Sequence, residues 1–159
     1  MNEAREFQSV GDDAVGPSLD EILTLLSEVG IPVSIRTLGG GIPVVEGSCD
    51  GILFFIMGYL PDGPSDSSSR KVGLLRFTCS FSTADRDGDE MKNLANQWNS
   101  KRLFGRLSID DDGDLTVDHV IVVSKDTKDS IPLAGGLWGR TISEIAATLA
   151  MTTPDRILH

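Results

Sequence analysis

Apolar residues recur along this chain with two periods, and the switch between them marks the elements. Leu19, Ile22, Leu23, Leu26 and Val29 return at helical spacing. Ser18 and Glu21 precede and open that run as a Ser-x-x-Glu capping box, in which hydroxyl and carboxylate satisfy backbone N–H groups reciprocally. Gly30 suits the left-handed stop that ends a helix. The stripe is expected to be core. Strand-like segments follow: Pro32 to Leu38, a turn on the glycines at 39 to 41, Val44 to Cys49, a hairpin corner at Asp50-Gly51, and Ile52 to Leu60. The stretch PDGPSDSSSR, 61 to 70, reads as a flexible connection with nothing to bury. Lys71 to Ser82 makes a fourth strand with Leu75, Phe77, Cys79 and Phe81 on one face.

Asp87 and Glu90 supply a capping pair for a second helix ending near Lys101, with Met91, Leu94, Ala95 and Trp98 inward. Leu103 to Ile109 and Leu115 to Val123 pair across the turn at 110 to 114. A polar loop, 125 to 130, leads to a last helix carrying Trp138, Ile142, Ile145 and Leu149. Gly135, Gly136 and Gly139 blur its start. Thr141 with Glu144 offers a further capping box, which predicts that the regular helix begins there, and Pro154 ends it. The order α-β-β-β-β-α-β-β-α with hairpin-like spacings predicts an α+β domain, an antiparallel sheet with helices packed on it. Residues 1–17 are expected to form a flexible tail, 18–152 one domain, and 153–159 a C-terminal tail.

The third strand breaks the usual alternation. Ile52, Phe54, Ile56 and Leu60 occupy one face; Leu53, Phe55, Met57 and Tyr59 occupy the other. A sheet covered by helices on one side should be apolar inward and polar outward. Here both faces are apolar, and Val120 with Val122 repeats the pattern opposite Ile121 and Val123. Either the chain's own helices or ends cover both sides, or one face is buried by a partner. Phe55, Met57 and Tyr59 are therefore candidate interface residues, facing a second copy or a protein client.

Composition narrows the partners. A chain of 159 residues makes about one domain. Fourteen basic against twenty-four acidic residues, a net charge of −10, argues against nucleic acid and against an anionic membrane surface. The N-terminal sequence lacks the apolar core of an export signal, and the longest apolar run, 51 to 60, is too short for a membrane-spanning helix, so a cytoplasmic protein is expected. Cys49 and Cys79 lack metal-ligand spacing and are expected to be free thiols.

Candidate chemistry is thin, and no cofactor is expected. An EF-hand loop needs oxygen ligands at positions 1, 3 and 5, Gly at 6 and Glu at 12. With Gly113 at position 6, Asp110 and Asp112 fall into place, but Ser108 stands at 1 and His119 at 12. With Gly88 there, Asp85 and Asp87 match, but Thr83 stands at 1 and Leu94 at 12. GGLWGRT fails as a phosphate loop, because Ala134 occupies the first glycine position and Arg140 replaces the lysine. A Cys79–His119 nucleophile pair requires their strands to meet. Otherwise Cys79 is a small core residue between Phe77 and Phe81.

The segment NQWNSKRLFGRLSIDDDGDLTVD, 96 to 118, runs from a helix end bearing Trp98-Asn99 and Arg102, through a strand, to an Asp112-Gly113 corner. It resembles the YbjN family, bacterial proteins labelled sensory transduction regulators, and the likeness in element order covers most of 18 to 151. The resemblance implies a small, often dimeric α+β domain, similar in fold to type III secretion chaperones, that offers apolar surface to protein clients. It carries over Trp98, Asn99, Arg102, Asp112 and Gly113 as family positions and brings no catalytic residues. The 61–70 loop is longer and richer in serine than the family pattern. The expected function is a non-enzymatic, chaperone-like or regulatory interaction module. A small-molecule-sensing domain and a cysteine-dependent enzyme are the alternatives.

Overall fold

The structure is a computed structural model, and it describes residues 16–151. Helix α1, Leu19–Glu28, begins at the capping box: Glu21 N–H donates to Ser18 Oγ, and Ser18 N–H donates to Glu21 Oε2 at 2.8 Å. It ends in a Schellman motif, with Gly30 N–H to Ser27 O, Ile31 N–H to Leu26 O, and Gly30 at φ 79°. Strands β1 Val33–Thr37, β2 Pro43–Cys49 and β3 Ile52–Leu60 follow as hairpins. Asp50 and Gly51 both take positive φ, 52° and 78°, which is the two-residue turn that matches strand twist.

After a two-residue strand β4, Gly63–Pro64, come β5 Leu74–Phe81, helix α2 Gly88–Lys101, β6 Arg106–Ile109, β7 Leu115–Val122 and helix α3 Ile131–Met151. All pairings are antiparallel, and the sheet runs β1-β2-β3-β5-β7-β6 with β4 beside β3. The α+β architecture and element order are those expected, with β4 added.

One apolar cluster joins the helices to a single sheet face. Leu19, Ile22 and Leu26 of α1, Met91, Ala95 and Trp98 of α2, and Trp138, Ile142 and Ile145 of α3 bury with Phe54, Ile56, Leu75, Phe77, Cys79 and Val117. Trp138 is its centre, edge-on to Phe54 at 6.4 Å between ring centroids and tilted against Phe77 at 5.6 Å.

Four sequence expectations change. Helix α3 starts at Ile131, ten residues before the anticipated cap, and Thr141 is buried inside it. The glycines admit close packing instead of breaking the helix. A Cβ on Gly135 would lie 2.5 Å from Leu26 Cδ2, and one on Gly139 3.0 Å from Cys49 Sγ. The 61–70 segment is pinned by polar contacts: Ser65 is buried with its N–H on Gly58 O, and Asp20 N–H donates to Ser68 O. Val29, assigned to the core stripe, is exposed because it caps the helix end. Gly16 and Pro17 are buried beside Val72, whereas residues 1–15, the C-terminal tail and Pro154 lie outside the described residues.

Two glycine substitutions should move stability in opposite directions. A Cβ on Gly47 would meet Phe54 Cζ at 2.3 Å, so Gly47→Ala is expected to cost about 1–3 kcal/mol. A Cβ on Gly136 would meet nothing within 4 Å, and Gly136→Ala should gain up to about 1 kcal/mol of helix propensity. Urea denaturation of both variants checks this; a neutral Gly47→Ala would contradict the packing described.

Candidate functional site

Because the three helices share one face, the other face of the sheet carries no helix among the described residues. Alternation places Leu53, Phe55, Met57 and Tyr59 of β3 on that outer face. Phe55 lies opposite Glu46 and Thr78, Met57 opposite Arg76, and Tyr59 opposite Leu74. On the next strand Arg76 faces Val120 and Leu74 faces Val122. Phe55, Met57 and Tyr59 are half-buried by their neighbours, whereas Leu53 is 57% and Val122 77% exposed. Val44, opposite Arg36, is fully buried on this side and stands outside the main core cluster.

Two ion pairs cross the apolar surface. Arg36 Nε lies 3.1 Å from Glu46 Oε1, and Arg76 Nε donates to Asp118 Oδ1 at 2.7 Å. Hydrogen bonding to the Asp118 carboxylate holds the Arg76 guanidinium above its ordinary pKa. Within these pairs the charges cancel, on a chain whose total is −10. This face combines apolar area with neutralised charge.

The Trp98-Asn99 step lies on the opposite, helix-covered side, where α2 becomes β6. Trp98 Nε1 donates to Gly105 O at 2.8 Å. Asn99 meets both backbone groups of Leu107: Nδ2 donates to its carbonyl at 2.8 Å, and Oδ1 accepts its N–H at 2.9 Å. The amide thus imitates a neighbouring strand on the edge strand β6. Arg102 stacks over the Trp98 ring at 5.0 Å and pairs with Glu144 on α3. Gly105 sits at φ 73° with no room for a Cβ, which would approach Thr141 Cγ2 to 2.7 Å.

At the acidic corner the carboxylates serve the turn itself. Asp110 Oδ1 accepts from the Asp112 and Asp114 N–H groups, Gly113 takes φ 87°, and Thr83 donates its hydroxyl to Gly113 O and its N–H to Asp114 Oδ1. Asp87 likewise caps α2 by accepting from Asp89 and Glu90. No His, Cys, Asp and Glu grouping able to hold a metal occurs among the described residues.

The family comparison covers most of the chain. The model of YbjN, described as "Putative bacterial sensory transduction regulator", matches residues 18–145. The chain belongs to the YbjN family. A search of the curated proteins found no match. The matched span opens at the Ser18 cap and includes the outer-face strands, the Trp98-Asn99 clamp and the acidic corner. No helix among the described residues of this YbjN-family chain is long and apolar enough to cross a membrane.

Cys79 and His119 lie on the same sheet face but do not pair in the register, where Cys79 faces Val117 and His119 faces Phe77. Burial pushes the Cys79 thiol up to about 12, which withholds the thiolate near neutrality. His119 is committed elsewhere: Nδ1 accepts from Gly105 N–H at 3.3 Å, and the ring stacks on Phe104 at 3.7 Å. The arrangement does not support a Cys79–His119 nucleophile.

Sequence reasoning also missed a cavity of about 340 Å³ where α3 passes the β2–β3 turn, lined by Ile31, Cys49, Asp50, Phe54, Gly139 and Arg140. Ser143 Oγ donates to Asp50 Oδ2 at 2.7 Å beside it. The clue was the α3 glycines, which line the cavity but read locally as a helix break.

Asn99→Ala leaves both Leu107 groups unpaired and should cost about 1–3 kcal/mol in chemical denaturation; an unchanged midpoint would contradict the clamp. Desolvation lowers the His119 pKa in the fold below its ordinary 6.5. The unfolded chain then binds the proton first as pH falls, so the stability this group contributes is full above about pH 6.5 and is lost as pH drops through the folded value. Wild type should accordingly lose more stability than His119→Gln between neutral pH and pH about 5. Parallel profiles in urea titrations would refute that assignment.

Proposed function

We propose that this YbjN-family protein is a non-enzymatic regulator that works through protein contacts on its outer sheet face, and that the first occupant of that face is a second copy of the chain. The observation that carries the reading is the sheet's one-sided cover. Every α-helix among the described residues packs on the face of Phe54 and Phe77, which leaves Leu53, Phe55, Met57, Tyr59, Val120 and Val122 on a face where those residues place none. An apolar patch of a few hundred Å² is where a monomer's interaction surface is most often found.

Charge points to this face as the place where a second copy would bind. Two chains of net −10 repel over most of their surfaces. They approach with least cost where Arg36 and Arg76 already offset Glu46 and Asp118. A two-fold axis through the patch would also let each arginine meet a carboxylate of the other copy. Four strands, β2, β3, β5 and β7, carry the patch, so at about 4.8 Å per strand and 3.3 Å per residue its flat footprint is on the order of 400 Å². That is below the roughly 800 Å² per partner of a standard interface, so the dimer should be reversible and concentration-dependent.

Sedimentation velocity across a wide concentration range tests this. Wild type should shift from monomer to dimer, and Phe55→Asp should weaken association at least tenfold, about 1.4 kcal/mol. Val122→Asp, at a side chain largely in solvent, should do the same without affecting folding. A wild type that stays monomeric throughout, or variants that associate as tightly, would overturn the reading. If Phe55→Asp unfolds the chain, Phe55 is core and its assignment as an interface residue fails.

A further inference from the structure

The helix side holds a second surface that the reading above does not use. A groove of about 430 Å³ runs between the loop at 102–105 and α3, walled by Trp98, Leu103, Phe104 and Leu137 and rimmed by Lys101, Arg102, Arg140 and Glu144. We propose that this groove docks an acidic peptide segment of a partner protein, with an apolar side chain seated between Leu103 and Leu137.

Charge supplies the first argument. Three cations face one carboxylate here, a local balance of +2 on a chain of −10. Glu144 is already paired with Arg102, while neither Lys101 nor Arg140 has an ion-pair partner among the described residues. An acidic ligand would find complementary charge at this groove and repulsion over most of the remaining surface.

Exposed apolar area also stands here on a pre-set frame. Leu103 is fully exposed, yet its loop is held at both ends by the Trp98–Gly105, Asn99–Leu107 and Gly105–His119 hydrogen bonds. The backbone part of the ordering cost is therefore met before any ligand arrives. Arg102 is oriented in the same way, by the Trp98 ring on one side and Glu144 on the other. Along α3, Leu133 and Leu137 lie one turn apart, both exposed, and continue the apolar stripe past the groove's end. A stripe longer than the cavity suits an extended peptide better than a compact small molecule.

The test uses the full chain and a fluorescein-labelled peptide that alternates Glu and Leu around one central Phe, read by fluorescence anisotropy. Two control peptides replace Glu by Lys, or Leu and Phe by Ser. The acidic apolar peptide should bind saturably and lose affinity as salt is raised, and both controls should bind at least tenfold more weakly. Arg140→Glu and Leu103→Ser should each weaken binding at least tenfold while circular dichroism and melting stay unchanged. Arg140→Gln should fall between wild type and Arg140→Glu. Val122→Asp, on the other face, should leave binding intact, so this proposal and the dimer stand or fall separately. No saturable binding, equal binding of the Lys peptide, or indifference to Arg140→Glu would overturn it. So would a shift of the monomer–dimer equilibrium in Arg140→Glu, which would make the groove a contact between copies.

Discussion

Trp138 sits fully buried between Phe54 and Phe77, and α3 can bring it to that depth because Gly135 and Gly139 present no side chain to Leu26, Ile31 and Cys49. Much of the helix side follows from this close approach. It sets α3 across β2 and β5, holds α1 against it, and makes the same helix one wall of both the 340 Å³ cavity and the larger groove. Larger side chains at those glycines would lift the helix and thin the core on which the sheet depends.

One-sided cover then divides the molecule into two surfaces of different chemistry. The outer sheet face is apolar with its charges already paired, so it favours a neutral, shape-matched partner. The groove beside the Trp98-Asn99 clamp is apolar and carries Lys101 and Arg140, which have no ion-pair partner among the described residues, and it is the surface proposed for an acidic partner. The proposed regulator, pairing through one surface and reading a partner through the other, would need no active site. Nothing at Cys79 or His119 competes with that account, since burial holds the thiol protonated and the imidazole is tied to Gly105 and Phe104.

Much of the fold was legible in the sequence because its signals are local. The Ser18–Glu21 box, the Asp87 cap, the Asp50-Gly51 turn and the limits of β3 each rest on residues near in sequence, and each appears where the pattern placed it. The two-faced composition of β3 also marked the sheet face that carries no helix among the described residues. What escaped depends on residues far apart. Glycine next to glycine reads as a helix break until the Leu26 and Cys49 side chains that need the space are known. Ser65 looks like a linker residue until Gly58 supplies its backbone partner. The Trp98-Asn99 step could be recognised as a family feature, but its action on Gly105 and Leu107 depends on how the chain turns at 102–105.

The central claim is that the outer face lies open to a second copy and is not covered by the chain itself. Hydroxyl-radical footprinting of the four methionines at several protein concentrations tests it most directly. Met91 is buried in the core and Met151 is exposed, so the two bracket the response of Met57 on the outer face. The account predicts that Met57 oxidises readily in dilute solution and becomes protected as concentration rises, while Met91 stays protected and Met151 reactive throughout. Protection of Met57 equal to that of Met91 at every dilution would show that the chain covers its own sheet, and would contradict the claim.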